Sequence, residues 1–231
     1  MVLHQPTSAF VWREADAWGV RWFTPTSELP LCGHATLAAA HALGHDEIVF
    51  RHGRGTLTAR RRDERIWLGL PAVAVTEGQI PVDVLDALGL TAAGGFAGND
   101  AEYVIMLDTA AQVETVRPDI PRILRLPVGR VIVTAAGGVD ADFTSRVFVP
   151  AHGLDEDHVT GSAHAVLGPF WAARLGRARL RAVQASPRRG RLALQVQDDH
   201  VQVGGHAVTV SQGDLIFDPP APEPWTGPGF R

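Results

Sequence analysis

The chain has 231 residues, 45% hydrophobic and 20% charged, enough to bury a substantial core and suited to one large domain or two small ones. A formal net charge of −4 and a pI near 6.2 argue against nucleic acid as a partner, because phosphate neutralisation needs a basic face. No stretch is long and apolar enough to span a bilayer, the first residues lack the basic start and apolar run of a signal peptide, and a single cysteine, Cys32, permits no internal disulfide; the expected location is cytoplasmic, with no membrane partner.

In chain order, β-branched and aromatic runs punctuated by Gly, Pro and Asp predict strands over residues 8–12, 19–23, 48–51, 56–61 and 66–70. The run Arg60-Arg61-Arg62, followed by Asp63 and Glu64, reads as a solvated hairpin turn. Between the second and third strands lies an Ala-rich helix opening at Gly33 and closing at Gly44. Residues 81–89 predict a short helix with Pro81 in its first turn and Gly89 as its stop. Further strands follow at 103–107, 130–134, 143–149, 179–184, 191–196, 200–203 and 207–211, with a helical segment at 119–126 and a main helix near 161–175. Both main helices are apolar nearly all round, the pattern of helices buried on every side. Pro169 is expected to break or kink the second.

One signature occurs twice. Arg21-Trp22-Phe23-Thr24-Pro25, Glu28 and Gly33-His34 are answered by Arg146-Val147-Phe148-Val149-Pro150, Glu156-Asp157 and Gly161-Ser162. Arg54-Gly55-Thr56-Leu57 is answered in the same order by Arg189-Gly190-Arg191-Leu192. Conserved order with small drift in spacing is the mark of a doubled gene, and the copies are too long for solenoid repeats. The expected organisation is therefore a first half over 1–80, a related second half over 81–217 and a Pro-rich mobile tail over 218–231. Each half aims a helix N-terminus and an acid at one place, so one cleft between them is expected to hold the site. Matching 10–12 with 131–133 leaves residues 103–107 and 119–126 without a counterpart, so the first half is expected to begin partway through its fold, with an open sheet edge.

The chemistry of such a cleft follows from its parts. Removing a proton from carbon beside a carboxylate or conjugated diene creates an anion, which free N–H groups at two helix N-termini can hold. Asp157, at the mouth of the second helix, is a candidate to carry the proton, and His34 its partner, since imidazole is usable in either state near neutrality. Asp157 also admits a reading as a helix cap, and Glu28 reads better as a cap or loop-orienting group than as a substrate contact. His41, His45 and His164 read as structural or exposed. His41 and His45 have the spacing of two metal ligands, but no third ligand follows in a recognised pattern, so no metal is expected. Cys32 precedes a helix N-terminus, where thiol pKa falls, yet a two-thiol mechanism needs a second cysteine. Lone glycines at 33 and 161 make no dinucleotide fingerprint, so no cofactor is expected.

The two Gly motifs, Glu28-Leu29-Pro30-Leu31-Cys32-Gly33-His34-Ala35-Thr36 and Glu156-Asp157-His158-Val159-Thr160-Gly161-Ser162-Ala163-His164, together with Phe23-Thr24-Pro25 and Ser145-Arg146-Val147-Phe148, resemble the PhzF-like isomerase family of phenazine biosynthesis, over residues 9–214. The resemblance implies an α+β, diaminopimelate epimerase-like fold: two pseudo-symmetric domains, each a curved, barrel-like sheet around a central helix. It further implies cofactor-free proton transfer on a small carboxylate, of the kind the family performs on dihydro-hydroxyanthranilate, and a homodimer. By motif position it assigns His34, Asp157 and Ser162 to the active site, with Gly33 and Gly161 at the helix starts. The family's basic glutamate lies in a Ser-Glu-Thr-Ala-Phe-Val stretch that reads here Pro6-Thr7-Ser8-Ala9-Phe10-Val11, so Thr7 stands in its place. Threonine is a poor base, and Thr7 is expected only to hydrogen-bond substrate. Two alternatives stand beside the isomerase: a small-molecule-binding or scaffold protein of the same fold, and an altered proton-transfer or lyase enzyme using Asp157 and His34.

Overall fold

The computed structural model describes residues 7–214. The tail expected from residue 218 lies outside them. The chain begins with a hairpin of β1 (Ser8–Arg13) and β2 (Trp18–Phe23), then β3 (Glu28–Leu29), helix α1 (Gly33–Leu43), β4 (Glu47–His52), β5 (Gly55–Arg62) and β6 (Arg65–Pro71). After a linker come β7 (Thr76–Glu77), α2 (Val82–Leu88), β8 (Gly95–Gly98), β9 (Glu102–Met106), α3 (Ala110–Thr115), α4 (Ile120–Ile123), β10 (Arg130–Ala136) and β11 (Phe143–Val149). The last elements are β12 (Leu154–Glu156), α5 (Gly161–Leu175), β13 (Arg179–Gln184), β14 (Gly190–Val196) and β15 (His200–Gly205).

All strands belong to one mixed sheet in the order β1-β2-β4-β5-β6-β15-β14-β13-β11-β10-β9-β8-β7, with β3 on β2 and β12 on β11. The return of β15 to pair antiparallel with β6, from His200 opposite Pro71 to Gly205 opposite Ile66, joins the strands of the two sequence repeats. Period-two alternation puts Ile66, Leu68 and Leu70 of β6, Val201 and Val203 of β15, and Leu192 and Leu194 of β14 on the face that α1 and α5 cover. β11 is buried on both faces, because α5 packs on one side and a second cluster from α2, α3 and α4 on the other.

Local chemistry explains the helix limits and turns. Gly44, Gly89 and Gly176 end α1, α2 and α5 in the left-handed conformation. Pro81 precedes α2 as its N-cap instead of lying in its first turn. The β5–β6 turn is made by Asp63 and Glu64, both at positive φ, directly after the arginine run. No strand forms over 207–211, where Val208 and Val210 are 81% and 91% exposed and have no core to face.

Pro169 does not break α5. A proline deprives the carbonyl four residues earlier of its helical donor, and that carbonyl, of Ala165, instead accepts from Val73 N at 3.1 Å. The linker between β6 and β7 thus supplies the missing bond. The two main helices also differ from the expectation of burial on every side: α5 is enclosed through its first turns, but α1 leaves Ala38 and Ala42 exposed. β10 is flanked by β9, β8 and β7, whereas among the described residues nothing pairs beyond β1, so less sheet wraps α1.

Strand register corrects the alignment of the repeats. Ser8 lies opposite Phe23 and Val131 opposite Phe148, so Phe10 answers Val133 and Thr7 answers Arg130. The repeat extends to buried hydrogen bonds: Thr36 Oγ1 donates to the Cys32 carbonyl at 2.7 Å, and His164 Nδ1 lies 2.8 Å from the equivalent Thr160 carbonyl. His164 is therefore structural, a neutral imidazole stacked on Phe143.

Burial pushes the His164 pKa from 6.5 down to about 4. The unfolded chain consequently binds the extra proton first as pH falls, so the contribution of neutral His164 is complete above pH 6.5 and is lost between there and about 4. The full loss is on the order of 3 kcal/mol. In urea denaturation at pH 7 and pH 4, His164→Asn should close its stability gap to wild type by up to that amount at the lower pH.

Candidate active site

The cleft where α1 and α5 begin has a volume of about 330 Å³, and Thr7, Gly33, His34, Asp157, Gly161 and Ser162 all line it. At the two glycines the backbones of α1 and α5 come close together. A Cβ built on Gly33 would lie 3.1 Å from Gly161 Cα, and one on Gly161 would lie 3.4 Å from Gly33 Cα. Two helix N-termini therefore meet, and among the described residues neither is capped by a side chain. Their free N–H groups and aligned dipoles favour an anion there.

Asp157 is 9% exposed and sits above the start of α5. Its Oδ2 accepts from Thr160 Oγ1 at 2.6 Å, so it takes a side-chain hydroxyl instead of capping the helix N–H groups. Its Oδ1 is 4.0 Å from His34 Nδ1, across the junction of the two repeats. Gln184 braces this loop: its Oε1 accepts from Thr160 N at 2.7 Å and its Nε2 donates to the Asp157 carbonyl at 2.7 Å. The fully buried amide thereby holds the carboxylate in place from behind.

The matching of acids differs from the sequence expectation. Arg21 forms a two-pronged pair with Glu28 at 2.8 and 2.7 Å, and Arg146 an equivalent pair with Glu156 at 2.8 Å on both prongs. Each arginine also lies over the Phe two residues on, at 5.0 Å for Phe23 and 5.1 Å for Phe148. Glu28 thus corresponds to Glu156, and both orient loops. Asp157 corresponds to Leu29, so only the second repeat delivers an acid to the cleft.

Cys32 Sγ lies 3.5 Å from His34 Nε2, but burial pushes its thiol pKa up to about 12. It remains a protonated thiol at neutral pH and is no thiolate nucleophile. Arg130 and Gln184 were not legible as site residues. Arg130 lines the cleft, and its Nη1 donates to Ser162 Oγ at 2.7 Å; aligning the repeats by strand register, which pairs it with Thr7, is the signal that finds it. For Gln184 the sequence holds no such signal.

Two other cavities are larger. One of about 710 Å³ lies on the sheet face away from the helices, lined by Trp67 and several arginines but no acid–base pair near a helix N-terminus. Another, of about 430 Å³, is mainly apolar and adjoins the same Gly33, His34 and Gly161 from the side of β14 and β15. The smallest of the three holds the converging chemistry. Among the described residues, no group of three or more His, Cys, Asp or Glu is placed to hold a metal ion, and no helix is long and apolar enough to cross a membrane.

Comparison with known proteins gives the geometry a context. The family model described as phenazine biosynthesis-like protein matches residues 2–213. A protein of Pseudomonas aeruginosa described as an uncharacterized isomerase is 45% identical over 214 residues, covering 90% of this chain and 81% of its own. The human phenazine biosynthesis-like domain-containing protein is 35% identical over 238 residues, covering 91% of this chain and 81% of its own. The crystal structure of a PhzF-family protein from Enterococcus faecalis matches with a TM-score of 0.87 at 33% identity, over 93% of this chain and 84% of that one. A hydroxyproline epimerase from Agrobacterium vitis, at 15% identity and a TM-score of 0.53 over 87% and 71% of the two chains, shares the fold.

A Cβ at Gly33 would press on the Gly161 backbone by a few tenths of an ångström, and backbone atoms cannot swing aside as a rotamer can. Gly33→Ala should destabilise the protein by about 1–3 kcal/mol in denaturant titration, against within about 0.5 kcal/mol for Ala38→Ser on the exposed face of α1.

Proposed function

Since the chain belongs to the phenazine biosynthesis-like protein family, we propose that it is a cofactor-independent isomerase or epimerase that moves a proton on a small carboxylate, with or without an amino group. The observation that carries this reading is the meeting of two uncapped helix N-termini beside an acid and an imidazole 4.0 Å apart. In this scheme the substrate anion lies against the N–H groups at Gly33 and Gly161, with the hydroxyls of Ser162 and Thr7 as further hydrogen-bonding groups. The Asp157 carboxylate removes a proton from carbon and becomes a carboxylic acid, while the electron pair spreads into the adjacent carboxylate or conjugated system. Return of a proton to another carbon, or to the other face of the same one, regenerates the carboxylate and completes an isomerisation without net gain or loss of electrons. His34 is the second proton carrier.

Thr7 at the family glutamate's position favours one rival: a protein of the same fold that binds a carboxylate without turning it over. Incubation in deuterium oxide with a panel of cyclic amino acids and dihydroanthranilate-type carboxylates, read by NMR, separates the two. The expected outcome is deuterium incorporation or isomerisation by wild type that falls by at least about 100-fold in Asp157→Asn, the range for loss of a positioned acid or base. Binding with no exchange would favour the rival, and exchange that survives in Asp157→Asn would remove Asp157 from the mechanism.

A further inference from the structure

Arg130 opens β10 directly beside Glu102 of β9 in parallel register. Its Nε donates to Glu102 Oε2 at 2.7 Å, its Nη2 reaches the same carboxylate, and its Nη1 donates to Ser162 Oγ at 2.7 Å. The Glu102 side chain is 2% exposed and that of Arg130 17%, so the pair is shielded and the guanidinium plane is held in one orientation. Two of the five guanidinium N–H groups donate hydrogen bonds in this way, and Nη2 is held by the ion pair with Glu102. The remaining N–H groups of Nη1 and Nη2 have no hydrogen-bond acceptor among the described residues, on a side chain that lines the cleft. Ser162 Oγ accepts from Arg130, which leaves its own hydrogen free for an acceptor in the cleft.

The repeat sharpens the point. Register equates Arg130 with Thr7, and the Gly motifs equate Ser162 with His34. One end of the cleft therefore carries a guanidinium and a hydroxyl, while the equivalent places at the other carry a threonine and an imidazole. Two similar halves have become unlike poles, and a substrate with one carboxylate has a preferred direction between them.

We propose that Arg130 is the specificity-determining residue of this cleft: with the Ser162 hydroxyl it receives the substrate carboxylate and so directs the proton-bearing carbon toward Asp157 and His34. This rests on the reading of the cleft as a carboxylate site. It selects a carboxylate over an uncharged group of the same shape, because an amide offers one acceptor oxygen and no charge to a fork that presents two donors.

Equilibrium binding of anthranilate and of its uncharged isostere 2-aminobenzamide to the full chain tests this. The proteins compared are wild type, Arg130→Lys and the double variant Arg130→Met/Glu102→Gln, which avoids stranding a buried carboxylate and so favours folding. Wild type should prefer anthranilate by about 10- to 100-fold, the range for a charge-assisted hydrogen-bond pair. Arg130→Lys should keep part of the preference, and the double variant should bind both ligands alike, its loss of affinity falling mainly on anthranilate. If the double variant does not fold, undiminished preference in Arg130→Lys overturns the proposal and reduced preference supports it. Equal weakening of both ligands would make Arg130 a purely structural residue, and failure of wild type to discriminate, by binding both alike or neither, would equally overturn the proposal. Because the readout is binding, absence of deuterium exchange with discrimination intact would sink the isomerase reading and leave the Arg130 assignment standing.

Discussion

The contact between Gly33 and Gly161 is the constraint on which the rest of this structure depends. Each helix carries about half a positive charge at its N-terminus, and two such ends brought together repel one another. Side-chain caps that would normally satisfy the free N–H groups are missing among the described residues at both ends. A fold that keeps two uncapped ends together is holding an anion site open at a cost in stability. The stabilising counterweight is the extended core behind it, in which side chains from α1, α5 and the strands of both repeats form one cluster.

Holding the helices at that separation is the work of the sheet. The β6–β15 ladder joins the two sets of strands, and α5 crosses beneath it close enough that a Cβ on Gly168 would approach a Val201 methyl to 3.1 Å. The Val73 N–H fills the gap that Pro169 leaves in the helix, so the linker between the repeats is fastened to the same helix whose N-terminus enters the cleft. Gln184, at the end of β13, does the equivalent for the loop that carries Asp157. Main-chain bonds and one buried amide thus fix the acid before any substrate arrives, the preorganisation that proton transfer requires.

The repeated signature supplies the frame, and the differences between its two copies supply the chemistry. Both repeats retain the Arg–Glu fork, the Phe beneath the arginine and a buried side chain tied to the N-cap carbonyl. These are structural positions, filled in both copies by the same residue or by groups that make the same bond, as Thr36 and His164 do. Apart from Gly33 and Gly161, the paired positions facing the cleft differ, among them Cys32 and Thr160, His34 and Ser162, Leu29 and Asp157, and Thr7 and Arg130. A symmetric cleft would treat both faces of a substrate alike, whereas unlike poles give it a single orientation.

The sequence by itself determined the strand-rich character, most strand positions and the two main helices, because period-two alternation, glycine stops and a repeated motif are local properties of a chain; the epimerase-like fold and the choice of Thr7 and Ser162 as candidates came through the family resemblance. It did not determine the behaviour of Pro169, since the donor that rescues the Ala165 carbonyl comes from a linker far away in sequence. Nor did it say which member of Glu156-Asp157 answers Glu28; the Arg21–Glu28 and Arg146–Glu156 forks show that it is Glu156. Arg130 and Gln184 entered the site only through strand register and burial, which are settled when distant segments pair. Residue types and spacing therefore announced the cleft, and tertiary pairing decided which of its polar groups are held in reserve by the fold and which face the space between the helices.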